Sequence, residues 1–228
     1  MTPVRVISNV LPFLNTMNEG SLRFAKAHKT RPESVALLAA ICLRETWAGE
    51  APGYRPHGSP DGTGDWCVRR GGWLRRAGVR IYQDGDRDAL RASGWSIPKG
   101  EGGQTVPGPY AVPSDGLGWG RGYWQLDILG DVRDLIAPEP WPVDQQAAAA
   151  CAQLHQNRLE LAPYQLHPLF EQAIVARYNA NLDRVRAGLT AGNVDVGTTG
   201  GDYSKDVFAL RDALLAKYPE KFPTDWSA

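Results

Sequence analysis

The sequence predicts a mainly α domain with a small β-hairpin region and a long loop-rich insertion. Three observations predict this fold class. Helical patterns of apolar residues occupy both ends of the chain, glycine and proline are dense between about residues 50 and 114, and a short alternating segment follows. At 228 residues and 43% hydrophobic content, the chain suits one sizeable domain, which we place at 1–228.

Helices are predicted where apolar residues recur with helical spacing. The first is expected at about residues 18–29. The segment "TRPESVALLAAICLRETWAG" predicts a buried helix with Thr30 or Ser34 near its cap, Pro32 in an early turn and Gly49 as its stop. Further helices are predicted in "PVDQQAAAACAQLHQNRLELA" and "LHPLFEQAIVARYNANLDRVRAGL", and at about 203–218.

The middle of the chain predicts loops followed by one alternating segment. Stretches such as "APGYRPHGSPDGTGD" are typical of loops, and only "DRDALRAS" indicates a short helix. A loop of this length is unusual inside a compact domain, which favours a role in shaping a binding surface. The segment "RGYWQLDIL" predicts a strand or hairpin with two faces. One face would carry Tyr123, Gln125 and Asp127, and the other Trp124, Leu126 and Ile128.

Charge and cysteine content narrow the class of protein. The 25 basic and 25 acidic residues cancel, so nothing indicates electrostatic binding to nucleic acid or to a membrane surface. No signal peptide and no apolar run approaching the roughly 20 residues of a membrane span is seen, so we expect a soluble protein made in the cytoplasm. Three scattered cysteines do not indicate a disulfide scaffold, and Cys42 and Cys151 are predicted to be small core residues.

Metal and cofactor chemistry is not predicted. His57, His155 and His167 do not form a metal-ligand pattern, and the sequence contains no C-x-x-C pair. The glycines around residues 116–122 do not stand between a strand and a helix, as a phosphate-binding loop requires. We therefore expect a protein that needs no metal or cofactor.

Glu45 is the first candidate for chemistry, because it follows the long apolar run at the end of the second predicted helix. Partial burial would disfavour its carboxylate and raise its pKa, and the negative end of the helix dipole acts in the same direction. An acid that keeps its proton near neutral pH can serve as a general acid. By residues alone the simpler interpretation is favoured: a solvated Glu paired with Arg44 or Arg177.

Other candidates lie in two later segments. Asp115, Asp127 and Asp131 flank the glycine-rich aromatic segment, where a second carboxylate could hold a water for glycosidic cleavage or simply keep a hairpin soluble. Tyr178 and Tyr203 could offer hydroxyls and ring faces to a sugar polymer, and Asn179 an amide. They could equally be core-edge aromatics and a helix-capping Asn.

Four motifs in chain order resemble the goose-type lysozymes, relatives of the soluble lytic transglycosylases. "LRETWAG" resembles the family's helix end with its acid, Ala and Gly, and "RGYWQLD" resembles its hairpin. "AIVARYNAN" and "VDVGTTGGDYSKDVFAL" resemble its later helix and its closing segment. The resemblance covers about residues 20–49 and 115–218. It implies a lysozyme-like fold, with a helical lobe, a small hairpin region and a substrate cleft between them.

The resemblance also implies roles for individual residues. Glu45 matches the catalytic acid, and Asp127 with Asp115 would hold the attacking water. Substrate-binding positions would be Gln125, Tyr123, Tyr178, Asn179 and Tyr203. The implied reaction is hydrolysis of the β-1,4 bond between N-acetylmuramic acid and N-acetylglucosamine in peptidoglycan.

The chain departs from the family in several places. Thr46 stands where Ser is usual, Trp47 follows it, and Asn181 replaces a glycine. The insertion carries Asp61 and Asp65, which leaves the identity of the second carboxylate open. We expect the insertion to roof or extend the cleft.

Alternatives to the muramidase stay open. The first alternative is a lytic transglycosylase, which needs one acid and forms anhydro products. The second is an enzyme that cleaves chitin. The third is a non-catalytic glycan-binding module, which would keep the fold without the chemistry. The expected partners are peptidoglycan strands, and a further candidate is an inhibitor or immunity protein that blocks the cleft. The protein is expected to be a monomer. Its substrate implies action on the cell wall, in the periplasm or outside the cell, by a route that the sequence does not reveal.

Overall fold

The computed structural model describes residues 7–49, 120–127, 132, 135 and 141–223, with the backbone alone at residues 120, 121 and 127. This part of the chain is mainly helical, as predicted. Its α-helices are α1 (Leu14–His28), α2 (Val35–Thr46), α3 (Val143–Leu161), α4 (Phe170–Arg177), α5 (Leu182–Thr190) and α6 (Tyr203–Lys217). The predicted insertion at about 50–114, with its short helix in "DRDALRAS", lies outside the described residues.

Helix α1 is longer than predicted. It begins at Leu14 and continues directly from a 3-10 segment at Ser8–Phe13. Pro12 fits near this start because its ring fixes a helical φ and its missing N–H lies in the first turns of the helical stretch. Lys29 ends the helix in the left-handed region at φ 53°.

Helix α2 runs through the middle of the core. Ser34, and not Thr30, caps it, since the Ser34 hydroxyl accepts a hydrogen bond from the Leu37 N–H at 3.4 Å. All residues of Val35–Leu43 are buried, which is the pattern of a helix covered on every side. The helix ends at Thr46, before the predicted stop at Gly49.

Helices α1 and α3 pack closely because of one glycine. A Cβ added at Gly20 would lie 2.7 Å from the Cβ of Ala147, well inside van der Waals contact. Helix α6 packs on α2, and α4 packs against both α3 and α6. These helices enclose α2 and fix both of its ends, and the candidate site lies at one of them.

The segment 166–189 is not one helical stretch, as the sequence pattern indicated. It is divided into α4 and α5, with residues 178–181 between them. The Asn181 side chain accepts a hydrogen bond from the Arg184 N–H at 2.9 Å and so caps α5. Asn favours such caps because its short amide competes with the helical backbone bond.

Two very short strands lie beside α2. Strand β1 (Gly120–Arg121) pairs antiparallel with β2 (Leu126–Asp127). The turn between them uses two residues with positive φ, Gly122 at 67° and Gln125 at 48°.

This turn corrects the predicted alternation. Tyr123, Trp124 and Gln125 belong to the turn and not to a strand, because the left-handed residues reverse the chain there. Trp124 and Leu126 are nevertheless buried, while Tyr123 and Gln125 are half-buried. Ile128 lies outside the described residues, as does the side chain of Asp127.

Within the described residues no helix combines the length and the apolar character needed to cross a membrane. Cys42 and Cys151 are free thiols in the core, as predicted. Burial raises the pKa of both thiols, so they stay protonated.

Candidate functional site

The last turn of α2 holds Glu45 at the edge of the core. Glu45 and its neighbour Arg44 are half-buried, whereas the residues on either side, Leu43 and Thr46, are buried. The carboxyl group therefore lies beside apolar side chains and near the carbonyl end of the helix. Both features make its environment less favourable to negative charge than water is.

Tyr203 is a partner of Glu45 from another helix. Its hydroxyl donates a hydrogen bond to Glu45 Oε1 across the α2–α6 interface. Tyr203 is only 1% exposed, so its ring belongs to the core and its hydroxyl is directed at the acid. The sequence placed this tyrosine among residues lining a glycan cleft; the structure gives it direct contact with the candidate acid.

Tyr203 is a neutral donor near neutral pH. Burial, followed by the charge of Glu45, raises the pKa of Tyr203 well above its ordinary value. The same two causes, burial first, raise the pKa of Tyr178. Neither phenol can therefore act as a base near neutral pH, and Tyr203 can hold the acid without exchanging protons with it.

Asp195 fixes the start of α6 and thereby the position of Tyr203. Its buried carboxylate accepts hydrogen bonds from the Ser204 N–H at 2.8 Å, the Ser204 hydroxyl at 2.8 Å and the Lys205 N–H at 3.2 Å. The Thr198 hydroxyl accepts the Tyr203 N–H at 3.3 Å. These bonds occupy the N–H groups that a helix start leaves unpaired, so α6 begins at a fixed place.

The turn between β1 and β2 is held against α2 by buried hydrogen bonds. The Trp124 indole N–H donates to the Leu38 carbonyl at 2.9 Å, and the Tyr178 hydroxyl donates to the Trp124 carbonyl at 3.0 Å. On the other side, Gln146 Oε1 accepts the Tyr123 N–H at 2.8 Å. The turn is thus anchored to α2, to α3 and to the residue that follows α4.

Thr46 joins the end of α2 to the same turn. Its hydroxyl oxygen lies 2.9 Å from the Tyr123 carbonyl and 3.2 Å from the Cys42 carbonyl, and it accepts the Gly49 N–H at 3.2 Å. A hydroxyl has one proton to donate, and the shorter distance favours the Tyr123 carbonyl as its acceptor. One side chain next to Glu45 therefore fixes the turn and the chain that leaves the helix.

The arginines considered as partners of Glu45 have acidic partners elsewhere. Arg44 Nε lies 2.9 Å from Asp206 Oδ2, and its guanidinium stands over the Tyr203 ring at 5.4 Å from the ring centroid. Arg177 Nε lies 2.8 Å from Glu160 Oε2. Arg44 thus contributes positive charge beside the ring of the tyrosine that contacts Glu45.

The remaining predicted residues are distributed around this centre. Asn179 does not cap a helix: its Oδ1 accepts the Thr199 N–H at 2.6 Å and ties the segment before α6 to the end of α4. The Gln125 amide donates to the Gly122 carbonyl at 2.9 Å within the turn, and the Tyr123 ring packs on Phe13 with centroids 5.2 Å apart.

The two predicted aspartates are not placed by the described structure. For Asp127 only the backbone is described, in the pair with Gly120. Asp115 lies outside the described residues, as do Asp61, Asp65 and Asp131. The position of the second carboxylate therefore stays a prediction.

No model of a known protein family matches this chain, and a search of curated protein sequences also finds no match. Among the described residues, no three His, Cys, Asp or Glu side chains come together as a metal site would require. The chemistry that these residues offer is that of a carboxyl group that accepts a hydrogen bond from a neutral phenol.

Sequence reasoning missed Asp195 and Thr198 as the residues that fix α6. Both lie in the segment "VDVGTTGGDYSKDV", where the sequence indicates only Tyr203 as a candidate. An acid and a hydroxyl shortly before a helical pattern are typical of a helix start, and that signal was available. The distance along the chain between Asp195 and Ser204 hid it, since a cap is normally sought within three residues.

Proposed function

We propose that the protein is a peptidoglycan hydrolase of the muramidase type, with Glu45 as its general acid. The observation that carries the proposal is the contact between Glu45, half-buried at the end of a buried helix, and the hydroxyl of the fully buried Tyr203. A carboxyl group held by a neutral donor in a poorly solvated place can both carry and release a proton. Four sequence motifs that resemble the goose-type lysozymes support the same assignment.

In this proposal Glu45 protonates the oxygen of the β-1,4 bond between N-acetylmuramic acid and N-acetylglucosamine. As the bond breaks, positive charge develops on the sugar ring, and Asp127 with Asp115 orients the water that attacks it. Tyr203 keeps the acid in one orientation throughout, because its hydroxyl remains protonated. The proton leaves Glu45 with the departing sugar hydroxyl, and the attacking water gives its proton to the aspartate that orients it. Exchange with solvent then returns the proton to Glu45 and removes it from the aspartate.

The fold that we propose for this chemistry is lysozyme-like. The helices around α2 would form the larger lobe and the strand pair at 120–127 the smaller one, with the glycan in a cleft between them. The anchoring of the turn to α2 through Trp124 and Thr46 supports this arrangement, since it holds backbone next to Glu45 rigidly. The substrate lies in the cell wall, so the proposal also implies that the protein acts there.

Digestion of purified peptidoglycan by the wild type and by Glu45→Gln tests the proposal, with products identified by mass spectrometry. We expect reducing-end muropeptides from the wild type and a loss of about 10²- to 10⁴-fold in Glu45→Gln, the usual contribution of general acid catalysis. Products lighter by one water would identify a lytic transglycosylase, in which the sugar's own hydroxyl attacks. Equal release by both proteins would exclude Glu45 as the acid.

Chitin digestion in parallel separates the substrate classes. Release from chitin but not from peptidoglycan would make the protein a chitinase acting through the same acid. Binding of either polymer without release, equally by both proteins, would indicate a non-catalytic glycan-binding module.

A further inference from the structure

Trp47, which follows Glu45 by two positions, is held in an unusual backbone conformation. Trp47 and Ala48 both have left-handed φ values, 53° and 55°, and Gly49 follows at 90°. Each non-glycine residue in this region costs roughly 1 kcal/mol, so two in succession persist only when their surroundings hold them. Such strain concentrates at functional sites.

Two hydrogen bonds and the burial of Ala48 hold this left-handed turn. The Thr46 hydroxyl accepts the Gly49 N–H at 3.2 Å, and Asn9 Nδ2 donates to the Trp47 carbonyl at 3.4 Å. Ala48 is buried at 4% exposure. The turn therefore directs the small residue into the core and keeps the indole outside it.

The Trp47 side chain is 43% exposed, although tryptophan is the largest apolar side chain. Within the described ranges, no aromatic ring or cationic group packs on the indole. The other described tryptophans, Trp124 and Trp141, are buried. The fold thus exposes an indole two residues after the candidate acid, at the expense of backbone strain.

We propose that Trp47 is a sugar-binding platform, on which a pyranose ring of the glycan stacks beside the bond that Glu45 cleaves. This inference rests on the proposed function. An indole offers a flat apolar face for the C–H surface of a sugar and an N–H for one of its hydroxyls. Two residues span at most about 7 Å along the chain, so the Trp47 backbone lies within about 7 Å of the Glu45 backbone.

Peptidoglycan binding tests the platform without cleavage. In a Glu45→Gln background, the fraction of protein that sediments with purified peptidoglycan gives an apparent Kd. Trp47→Asn removes the ring but keeps a residue that tolerates left-handed φ, and Trp47→Phe keeps a smaller ring. We expect the Kd to rise about tenfold or more for Trp47→Asn and less than about threefold for Trp47→Phe.

A matched control is Leu166→Asn, because Leu166 is 94% exposed and lies far from Glu45 in the sequence. It is expected to leave the Kd unchanged, and thermal melts check that all the variants fold. An unchanged Kd for Trp47→Asn overturns the platform, as does an equal loss for Leu166→Asn.

The failures of the two proposals are distinguishable. Wild-type cleavage together with an unchanged Kd for Trp47→Asn would overturn the platform and leave the muramidase standing. Full cleavage by Glu45→Gln would overturn the acid assignment while a weakened Kd still supported the platform. If no form of the protein sediments with peptidoglycan, the platform is overturned.

Discussion

Helix α2 has a glutamate at each end, and the two carboxyl groups are held in opposite ways. Glu33, just before the first turn, is 7% exposed, and its two oxygens pair with the two terminal nitrogens of the Arg158 guanidinium. Its backbone carbonyl also accepts the Ser21 hydroxyl at 2.9 Å. Glu45, in the last turn, is half-buried and takes its hydrogen bond from the neutral hydroxyl of Tyr203.

The charge of the partner decides what each carboxyl group can do. Glu33 lies beside a guanidinium and at the positive end of the helix dipole, and it serves as a structural ion pair. Glu45 accepts a hydrogen bond from a phenol and lies at the negative end of the same dipole, which by itself disfavours negative charge. The comparison teaches that burial alone does not distinguish the two carboxyl groups; the group that donates to each of them does.

The largest expected effect separates the two glutamates by two different measurements. Glu45→Gln is expected to lower peptidoglycan cleavage about 10²- to 10⁴-fold with little change in Tm. Glu33→Gln leaves Arg158 without its main partner, which is expected to cost about 3 kcal/mol and to lower the Tm by roughly 6–12 °C. Its cleavage rate, measured well below the Tm, is expected to match that of the wild type.

The contrast between the two glutamates would be contradicted if Glu33→Gln lost cleavage without losing stability, or if both variants lost the same property. A Glu33→Gln protein that is fully folded but inactive would move the acid to the other end of α2. Circular dichroism on the same samples separates loss of fold from loss of chemistry.

Two tyrosine variants test whether the neutral donor matters. Tyr203→Phe removes the hydroxyl on Glu45, so we expect cleavage to fall about 10- to 100-fold, the value of a hydrogen bond to a charged group. The hydroxyl stabilises the ionised acid, so without it the acid keeps its proton to higher pH. The alkaline limb of the pH–rate profile is therefore expected to move upward.

Tyr178→Phe is the matched control, because it removes a hydroxyl that donates to the Trp124 carbonyl and not to the acid. It is expected to cost about 1 kcal/mol of stability and to leave the alkaline limb where it was. A shift of that limb in Tyr178→Phe, or none in Tyr203→Phe, would contradict the assigned role of Tyr203.

Sequence patterns predicted some of these features for physical reasons. The buried helix α2 follows from an unbroken apolar run after Ser34, and α6 at about 203–218 agrees with the observed Tyr203–Lys217. Such elements can be predicted from neighbouring residues alone. The contact between Tyr203 and Glu45 cannot be predicted in this way, because it joins residues from distant parts of the chain. Only a resemblance to a known family indicated that they belong to one site.

The sequence pattern failed where a side chain or a positive φ overrides periodicity. Asn181 divides a segment that reads as one helix, and Gln125 in the left-handed region turns a segment that reads as a strand. Gln is common inside regular elements, so the type of residue 125 gives no warning, whereas Asn favours helix caps and Asn181 is a signal that the segment divides. The ion pair between Glu33 and Arg158 could not be predicted from the sequence pattern either, because Arg158 lies on α3, far along the chain.

A third prediction concerns pH, since the Glu45 end of α2 is surrounded by acids that burial keeps neutral. The pKa values of Cys42, Tyr178 and Tyr203 are raised in the folded state. A raised folded-state pKa gives stability that is complete below the unfolded value and declines above it. We expect the free energy of unfolding to be level up to about pH 8.5 and then to fall by about 1.4 kcal/mol per pH unit for each group, thiols first and phenols from about pH 10.

Chemical denaturation between pH 7 and 11 measures this decline. In the double variant Cys42→Ala and Cys151→Ala, the onset is expected to move to about pH 10, where only the phenols remain to titrate. An onset that stays near pH 8.5 without these thiols would show that other groups control alkaline unfolding.

A fourth prediction tests the anchor beside Glu45. Thr46→Val removes the hydroxyl that accepts the Gly49 N–H and bonds to the Tyr123 carbonyl, both of which lie in a partly buried place. The expected cost is about 2 kcal/mol, seen in denaturant unfolding, with a several-fold loss of cleavage as the turn loosens. Thr46→Ser keeps the hydroxyl and is expected to stay within about 0.5 kcal/mol of the wild type. Equal losses in both variants would contradict the role of the hydroxyl, because Thr46→Ser keeps it.

The smallest effect is expected from the ion pair of Arg44, the residue before the candidate acid. Arg44 and Asp206 are both partly exposed, so Arg44→Met is expected to cost less than about 1 kcal/mol, and less again in 1 M salt. Its cleavage is expected to stay within a few-fold of the wild type, because the hydrogen bond from Tyr203 to Glu45 remains. If Arg44 instead held Glu45 as a salt bridge, Arg44→Met would lower cleavage as strongly as Tyr203→Phe and salt would weaken the wild type in the same way. Glu45 would then be held by an arginine, as Glu33 is held by Arg158, and the proposed difference between the two carboxyl groups would be contradicted.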